Sequence, residues 1–296
     1  MTRIGILGFG EAGSAFAETL VAHGANVAAF DKDWGKSAIG RTPCDDDSDA
    51  GIRLCAFPSD LLASADIVLS TVTTDTALDA ARACLPGLTP HHTYCDLNST
   101  APATKVELDR LIAPTGAKFV EGAIMGAIGV TGGRTKILLG GSHAQTLAET
   151  LNGFGLQTSP YSEEIGKAST FKLLRSVFSK GIEALVIEFL LAGRKAGLAD
   201  DLWREVVTLF DENDFGEVTA NWVRSHAVAH ERRFHEMVQV AALLDQLKVD
   251  AIMTQATLAV FRRSTELGLS NDFRRKPERI DDVPEALIRR MPRSAG

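Results

Sequence analysis

Along the first half of the chain, short apolar runs alternate with stretches whose apolar positions recur three and four residues apart. The runs Arg3–Leu7, Asn26–Phe30, Ile67–Val72, His92–Leu97, Lys118–Val120 and Thr135–Leu139 read as strands. Strands alternating with helical stretches predict a parallel sheet wrapped by helices, over residues 1–160. After Tyr161 the spacing turns helical: Phe234, Met237, Val238 and Ala241 fall at i, i+3, i+4 and i+7, and 250–267 continues in the same way. Residues 161–296 are therefore expected to form an all-α domain. It opens on a long linking helix over 165–195, followed by helices near 200–210, 215–227, 229–247 and 250–267. Residues 271–296 are charged and hold Pro277, Pro284 and Pro292, which predicts a loosely packed tail.

The first strand runs into Gly8-Phe9-Gly10-Glu11-Ala12-Gly13, a G-x-G-x-x-G turn that opens the helix Ser14–Ala22. In such a turn the first glycine permits the bend, the second lets backbone approach a pyrophosphate, and the third lets helix and strand pack closely. The helix N-terminus adds oriented N–H donors. Asp31 follows 18 residues after Gly13, at the end of the next strand, where a carboxylate accepts hydrogen bonds from ribose hydroxyls. Strand, turn, helix, strand and acid in register predict a Rossmann-type doubly wound α/β domain that binds NAD. Asp31 repels a ribose 2′-phosphate and Lys32 beside it offsets part of that repulsion, so NADP is kept as the alternative cofactor.

Composition narrows the field. The 296 residues carry 31 Lys+Arg against 38 Asp+Glu, a net charge of −7, with no like-charge block longer than Asp45-Asp46-Asp47. Such a chain has no general attraction for nucleic acid or anionic membranes. The apolar stretch Ala184–Gly193 is interrupted by Glu188 and falls short of the ~20 residues of a membrane span. No secretory leader is expected at the amino terminus. Cys44, Cys55, Cys84 and Cys95 match neither a ligand pair nor a disulfide framework, so they read as free thiols of a cytoplasmic protein.

On the linking helix, Lys172, Ser176, Ser179 and Glu183 are 4, 3 and 4 residues apart and share one face among apolar neighbours. This predicts a polar seam on a buried helix, with substrate as one source of partners. A lysine near a helix start, walled by apolar groups, is disfavoured as a cation and suits proton abstraction from a hydroxyl. Periodicity alone also allows a solvated lysine. Gly181 in mid-helix suggests a close neighbour. His226 and His230 have i, i+4 spacing but lack companion ligands, so no metal site is expected. Arg232 and Arg233 read as facing solvent or a subunit interface. Ser99 with His92 lacks the glycine elbow of a hydrolase.

Together these residues resemble the β-hydroxyacid dehydrogenase family, which includes 3-hydroxyisobutyrate, tartronate semialdehyde and 6-phosphogluconate dehydrogenases. The resemblance rests on Ile6–Gly13, on Asp96-Leu97-Asn98-Ser99-Thr100-Ala101-Pro102, on Glu121-Gly122-Ala123-Ile124-Met125-Gly126-Ala127, and on Gly166 with Lys172 six residues later. It implies Lys172 as general acid/base, Asn98 and Ser99 near the substrate carboxylate and the nicotinamide, and Thr71, Val72 and Thr73 as backbone neighbours of the nicotinamide ribose. It also implies subunits paired as a homodimer or higher oligomer. The chain departs from the family pattern at four places. Asn98 and Ser99 stand for serine and threonine, Met125-Gly126-Ala127 for S-G-G, and Ser176 for the asparagine four residues after the lysine. Arg232–Met237 is similar to a less characterised branch, whose helical domain has no settled activity.

The expected function is NAD-dependent oxidation of a β-hydroxy acid, with Met125, Gly126, Ser176 and Glu183 completing the substrate pocket. Decarboxylation of the β-keto product, imine reduction and non-catalytic dinucleotide sensing are the alternatives. Imine reductases that resemble this family usually lack the lysine.

Overall fold

The computed structural model describes residues 2–36 and 51–292. Cys44 and the Asp45–Asp47 block lie outside them. Eight strands, β1 (Arg3–Leu7), β2 (Asn26–Phe30), β3 (Ile52–Leu54), β4 (Ile67–Ser70), β5 (Thr93–Asp96), β6 (Lys118–Ile124), β7 (Lys136–Gly140) and β8 (Gln157–Ser162), form one sheet in the order β3-β2-β1-β4-β5-β6-β7-β8. Helices α1 (Glu11–Ala22), α2 (Pro58–Ala63), α3 (Ala77–Cys84), α4 (Pro102–Ile112), α5 (Ile128–Thr131) and α6 (Ala144–Gly153) accompany it. Alternate strand residues feed two cores. Ile4, Ile6, Leu69, Cys95 and Val120 meet α1 and α6 on one face, and Leu7, Val68, Tyr94 and Phe119 meet Leu61, Leu108 and Ile112 on the other.

The sheet departs from the expected all-parallel one in a single pairing, because β6 and β7 run antiparallel. Only residues 125–135 join them, too short a link for the crossover that parallel neighbours need. The two strands absent from the sequence reading, β3 and β8, are the sheet edges. The first has three residues, and the second is polar and holds Pro160, which an edge tolerates.

The chain divides into two compact units, Met1–Val177 and Phe178–Gly296, and the division falls within the long helix α7 (Lys167–Ala196). The second unit is helical, with α8 (Ala199–Glu212), α9 (Phe215–Gln246), α10 (Ile252–Glu266) and α11 (Asp282–Arg290). The two helices expected over 215–227 and 229–247 are one, since no glycine or proline interrupts Ala227-Val228-Ala229. Glu188 of α7 caps α10, accepting hydrogen bonds from the Met253 and Thr254 amides and the Thr254 hydroxyl at 2.6–2.9 Å. The expected loose tail is instead helix α11, whose Val283 and Ala286 pack with Ala227 and Leu269. Pro284 falls in its first turn, where a missing N–H has no helical partner to lose. Among the described residues no helix is long and apolar enough to cross a membrane.

Candidate active site

The glycine turn bends between β1 and α1. Gly8 has φ of +95°, and a Cβ there would lie 2.9 Å from the Thr71 backbone. At Gly13 it would lie 2.1 Å from the Gly8 carbonyl oxygen. Both glycines are therefore required by packing. A Cβ at Gly10, in contrast, would meet nothing within 4 Å. Gly10 is also the N-cap of α1 and no side chain caps it, so the first-turn amides keep their capacity for an anion.

Asp31 ends beside this turn. Its Oδ2 accepts the Phe9 amide at 2.7 Å and its Oδ1 the Asp33 amide at 2.8 Å, which fixes the carboxylate while leaving acceptor positions for hydroxyl donors. Gly8, Gly10, Glu11, Asp31, Lys32, Thr71, Val72 and Thr73 line one cavity of about 690 Å³ at the C-terminal ends of β1, β2 and β4. That is where an open α/β sheet takes a dinucleotide. Phe9, Ala12 and Gly13 stand behind it: Phe9 is buried against Trp34, Ala12 packs on the core, and Gly13 admits the Gly8 carbonyl. Thr71 donates its hydroxyl to the Gly8 carbonyl at 2.7 Å and so braces the turn.

The second cluster gathers at the ends of β5 and β6. Asn98 is buried, and its Nδ2 donates to the Ser70 hydroxyl at 3.1 Å and to Asp96 Oδ1. Asn98 Oδ1 and Thr100 Oγ1 are buried without a hydrogen-bond partner among the described residues. Such orphans are uncommon, and a bound carboxamide or hydroxyl would satisfy them. Open backbone at Gly10, the fixed Asp31 carboxylate and these orphans fit a nicotinamide dinucleotide.

Lys172 lies in the second turn of α7, half-buried, with its Nζ donating to the exposed Ser99 Oγ at 2.5 Å. Burial, and to a lesser extent the charge of Lys105, hold its amine below the ordinary lysine value. Glu121 of β6 sets the start of this helix. Fully buried, it accepts the Gly166 and Ala168 amides on Oε1 at 2.8 and 3.0 Å, and the Ser169 hydroxyl on Oε2 at 2.7 Å. A carboxylate on first-turn amides caps the helix and complements its dipole.

Met125 and Gly126 follow the end of β6. The Met125 side chain packs on Ala123, Leu138 and Ala168, and its carbonyl accepts from Arg175 at 3.2 Å. Ser176 turns its hydroxyl back to the Lys172 carbonyl at 3.0 Å. Glu183, in the second unit, pairs with Lys180 at 2.7 Å. The polar seam was expected on a buried helix, yet Leu174, Val177, Phe178 and Leu185 are exposed, and a Cβ at Gly181 would meet nothing within 4 Å.

His226 Nε2 bonds the Ser264 hydroxyl and His230 Nδ1 the His226 carbonyl. Among the described residues no group of three or more His, Cys, Asp or Glu could hold a metal ion. Arg232 is exposed and ion-paired with Glu236, whereas half-buried Arg233 donates to Ser225 and the Trp222 carbonyl. His92 holds a turn at Thr89, far in role from a nucleophile's base. Cys55, Cys84 and Cys95 are buried free thiols, and burial pushes Cys84 up to about 12, so they are poor nucleophiles.

Two residues of this cluster carry no role in the sequence reading. Glu121 sits inside a recognised motif without an assigned part. Lys105 shares the apolar face of α4 with Leu108 and Ile112, at i, i+3 and i+7, and a charge on such a face was the available signal.

The fold and the glycine turn define a dinucleotide-binding protein with a Rossmann-type domain and a helical one. The chain belongs to the family of the NAD binding domain of 6-phosphogluconate dehydrogenase, matched over residues 3–155. Residues 194–264 match a domain of unknown function, DUF1932. Glyoxylate/succinic semialdehyde reductase 1 of Arabidopsis thaliana is 21% identical over 291 residues, 92% of this chain and 96% of that protein. A conserved protein of unknown function, described as structurally similar to 3-hydroxyacid dehydrogenases, is 28% identical with a TM-score of 0.57, covering 98% of this chain and 100% of that one. An imine reductase variant from Myxococcus stipitatus, in complex with NAD+, has a TM-score of 0.78 at 18% identity, covering 99% and 100%; at that identity it shows the shared fold.

Proposed function

We propose that the chain oxidises a β-hydroxy acid with NAD, using Lys172 as the general base. The reading is carried by one observation: the Lys172 nitrogen sits 2.5 Å from Ser99 on the loop after β5, partly desolvated and below its ordinary proton affinity. A lysine tuned toward neutrality takes the hydroxyl proton as the carbinol carbon loses its hydride. The nicotinamide ring supplies the hydride acceptor. Ser99 donates to the substrate carboxylate, the free Asn98 Oδ1 would accept from the nicotinamide carboxamide, Met125 and Gly126 border the substrate, and Ser176 continues the lysine face. In this reading 1–160 form the cofactor domain and 161–296 the substrate and subunit-pairing domain.

The cofactor choice follows from charge. Among the described residues, Asp31, Asp33, Asp75, Asp79 and Glu11 line the cavity, against Lys32 as the one cation. A 2′-phosphate is disfavoured there. The names of the Arabidopsis relatives add the reverse direction, reduction of a short aldehyde acid, to the compounds worth testing.

The test is a spectrophotometric panel. NAD or NADP is offered with small and aryl-substituted β-hydroxy acids, and NADH or NADPH with glyoxylate, succinic semialdehyde and a cyclic imine. NADH formation from a hydroxy acid is expected. Turnover of the imine alone would replace the proposal with imine reduction, and no turnover of any compound would favour a non-catalytic dinucleotide sensor.

A further inference from the structure

Lys105 has no solvent exposure, and neither has its partner Asp96. Its Nζ donates to Asp96 Oδ2 at 2.5 Å, to the carbonyls of Asp96 and Asn98 at 2.8 and 2.7 Å, and weakly to that of Gly122 at 3.4 Å. Packing alone would favour an apolar side chain here, because Leu108 and Ile112 complete this face of α4 and a buried ion pair seldom improves on a hydrophobic replacement. What the pair does is local. It grips both carbonyls that bracket Leu97, and the peptide leaving Asn98 carries Ser99, the residue that receives Lys172.

We propose that Lys105 is a positioning residue for Lys172: its side chain fixes the Asn98–Ser99 segment on which the Lys172 nitrogen rests and brings a second lysine nitrogen toward it. The proposal rests on the reading of Lys172 as the base. The second charge opposes protonation of Lys172 and adds to the larger effect of burial. Among the described residues, the charged groups on the neighbouring elements have partners of their own. Asp96 of β5 pairs with Lys105, and burial pushes its carboxyl up despite that pair. Glu121 of β6 is spent on the amides of α7, and Arg175 on the Met125 carbonyl.

Competitive labelling of the full chain with acetic anhydride across pH, with the Lys172 peptide quantified by mass spectrometry, reads that nitrogen directly and needs no substrate. The native midpoint is expected below that of a free lysine. In Lys105→Met it is expected to rise, while a purely structural role would lower the melting temperature and leave the midpoint in place. Lys105→Met leaves Asp96 buried and uncompensated, so Asp96→Asn/Lys105→Met serves as the variant that retains the fold, with a smaller upward shift expected because the paired carboxylate charge is removed too. An unchanged midpoint in either folded variant overturns the proposal. A native midpoint at the ordinary lysine value overturns it without any variant. Failure of the base reading shows elsewhere, as activity retained when Lys172 itself is removed.

Discussion

Glu121 shows how a single buried carboxylate sets a remote nitrogen. It satisfies two amides and one hydroxyl at the start of α7, and Lys172 projects one turn further on. Glu121→Gln keeps the size but replaces one acceptor oxygen with a donor that faces donors. The expected cost is about 1.5 to 3 kcal/mol, read as a lower melting temperature, with kcat reduced about tenfold or more and NAD affinity nearly unchanged. Loss of NAD binding in step with kcat would contradict a role confined to α7. At the substrate end, Met125 stands where members of the resembled family carry a serine hydroxyl, and it packs on Ala123, Leu138 and Ala168. An apolar wall favours an aryl or extended alkyl substituent by about 25 cal/mol per Å² removed from water, and a lost hydrogen bond costs a small polar acid about 1 to 3 kcal/mol. Aryl-substituted β-hydroxy acids are therefore expected to show higher kcat/KM than 3-hydroxyisobutyrate or glycerate, and Met125→Ser is expected to shift the ratio toward the small acids. A native preference for small acids would sink this pocket argument alone.

At the scale of elements, β1, the glycine turn, α1, β2 and the long helix were legible because each signal is local: a strict apolar period, a turn that only glycine permits, an acid at a strand end. The direction of β7 was not, because pairing direction depends on the connection and the strand's own pattern is the same either way. β3 and β8 escaped notice because edge strands carry weak apolar patterning. The tail was misread from its prolines, since Pro284 belongs to the first turn of α11. Lys105 and Glu121 were hidden for another reason: which polar residue is buried depends on what folds over it.

The helix pair α9 and α10 carries its own pH signature. His226 sits between them, bonded to Ser264, and burial first, then the charges of His230, Arg233 and Arg263, lower it to about 4. Between that value and its unfolded value of 6.5 the unfolded chain binds the extra proton, so stability falls as pH drops through this window. Melting temperatures between pH 7 and pH 4 are expected to decline more steeply for the native chain than for His226→Gln. Parallel declines would show that other groups govern acid stability.

For the whole molecule, the exposed side chains of α7 are the largest unfinished feature. Leu174, Val177, Phe178, Leu185, Ile187 and Leu191 leave about half or more of their surface in water, on one continuous helix. Monomers seldom leave so many large apolar side chains of one helix in water, and a second copy of the chain is the occupant we propose. Sedimentation at micromolar concentration is expected to give a dimer or larger, and a monomer would leave this face unexplained.

The central claim is that proton transfer runs through Lys172, and turnover of Lys172→Ala on the hydroxy acid that the native enzyme uses best tests it most directly. A fall in kcat of ~10² to ~10⁴ is expected, with NAD affinity nearly unchanged. A variant that keeps more than about a tenth of native kcat would contradict it.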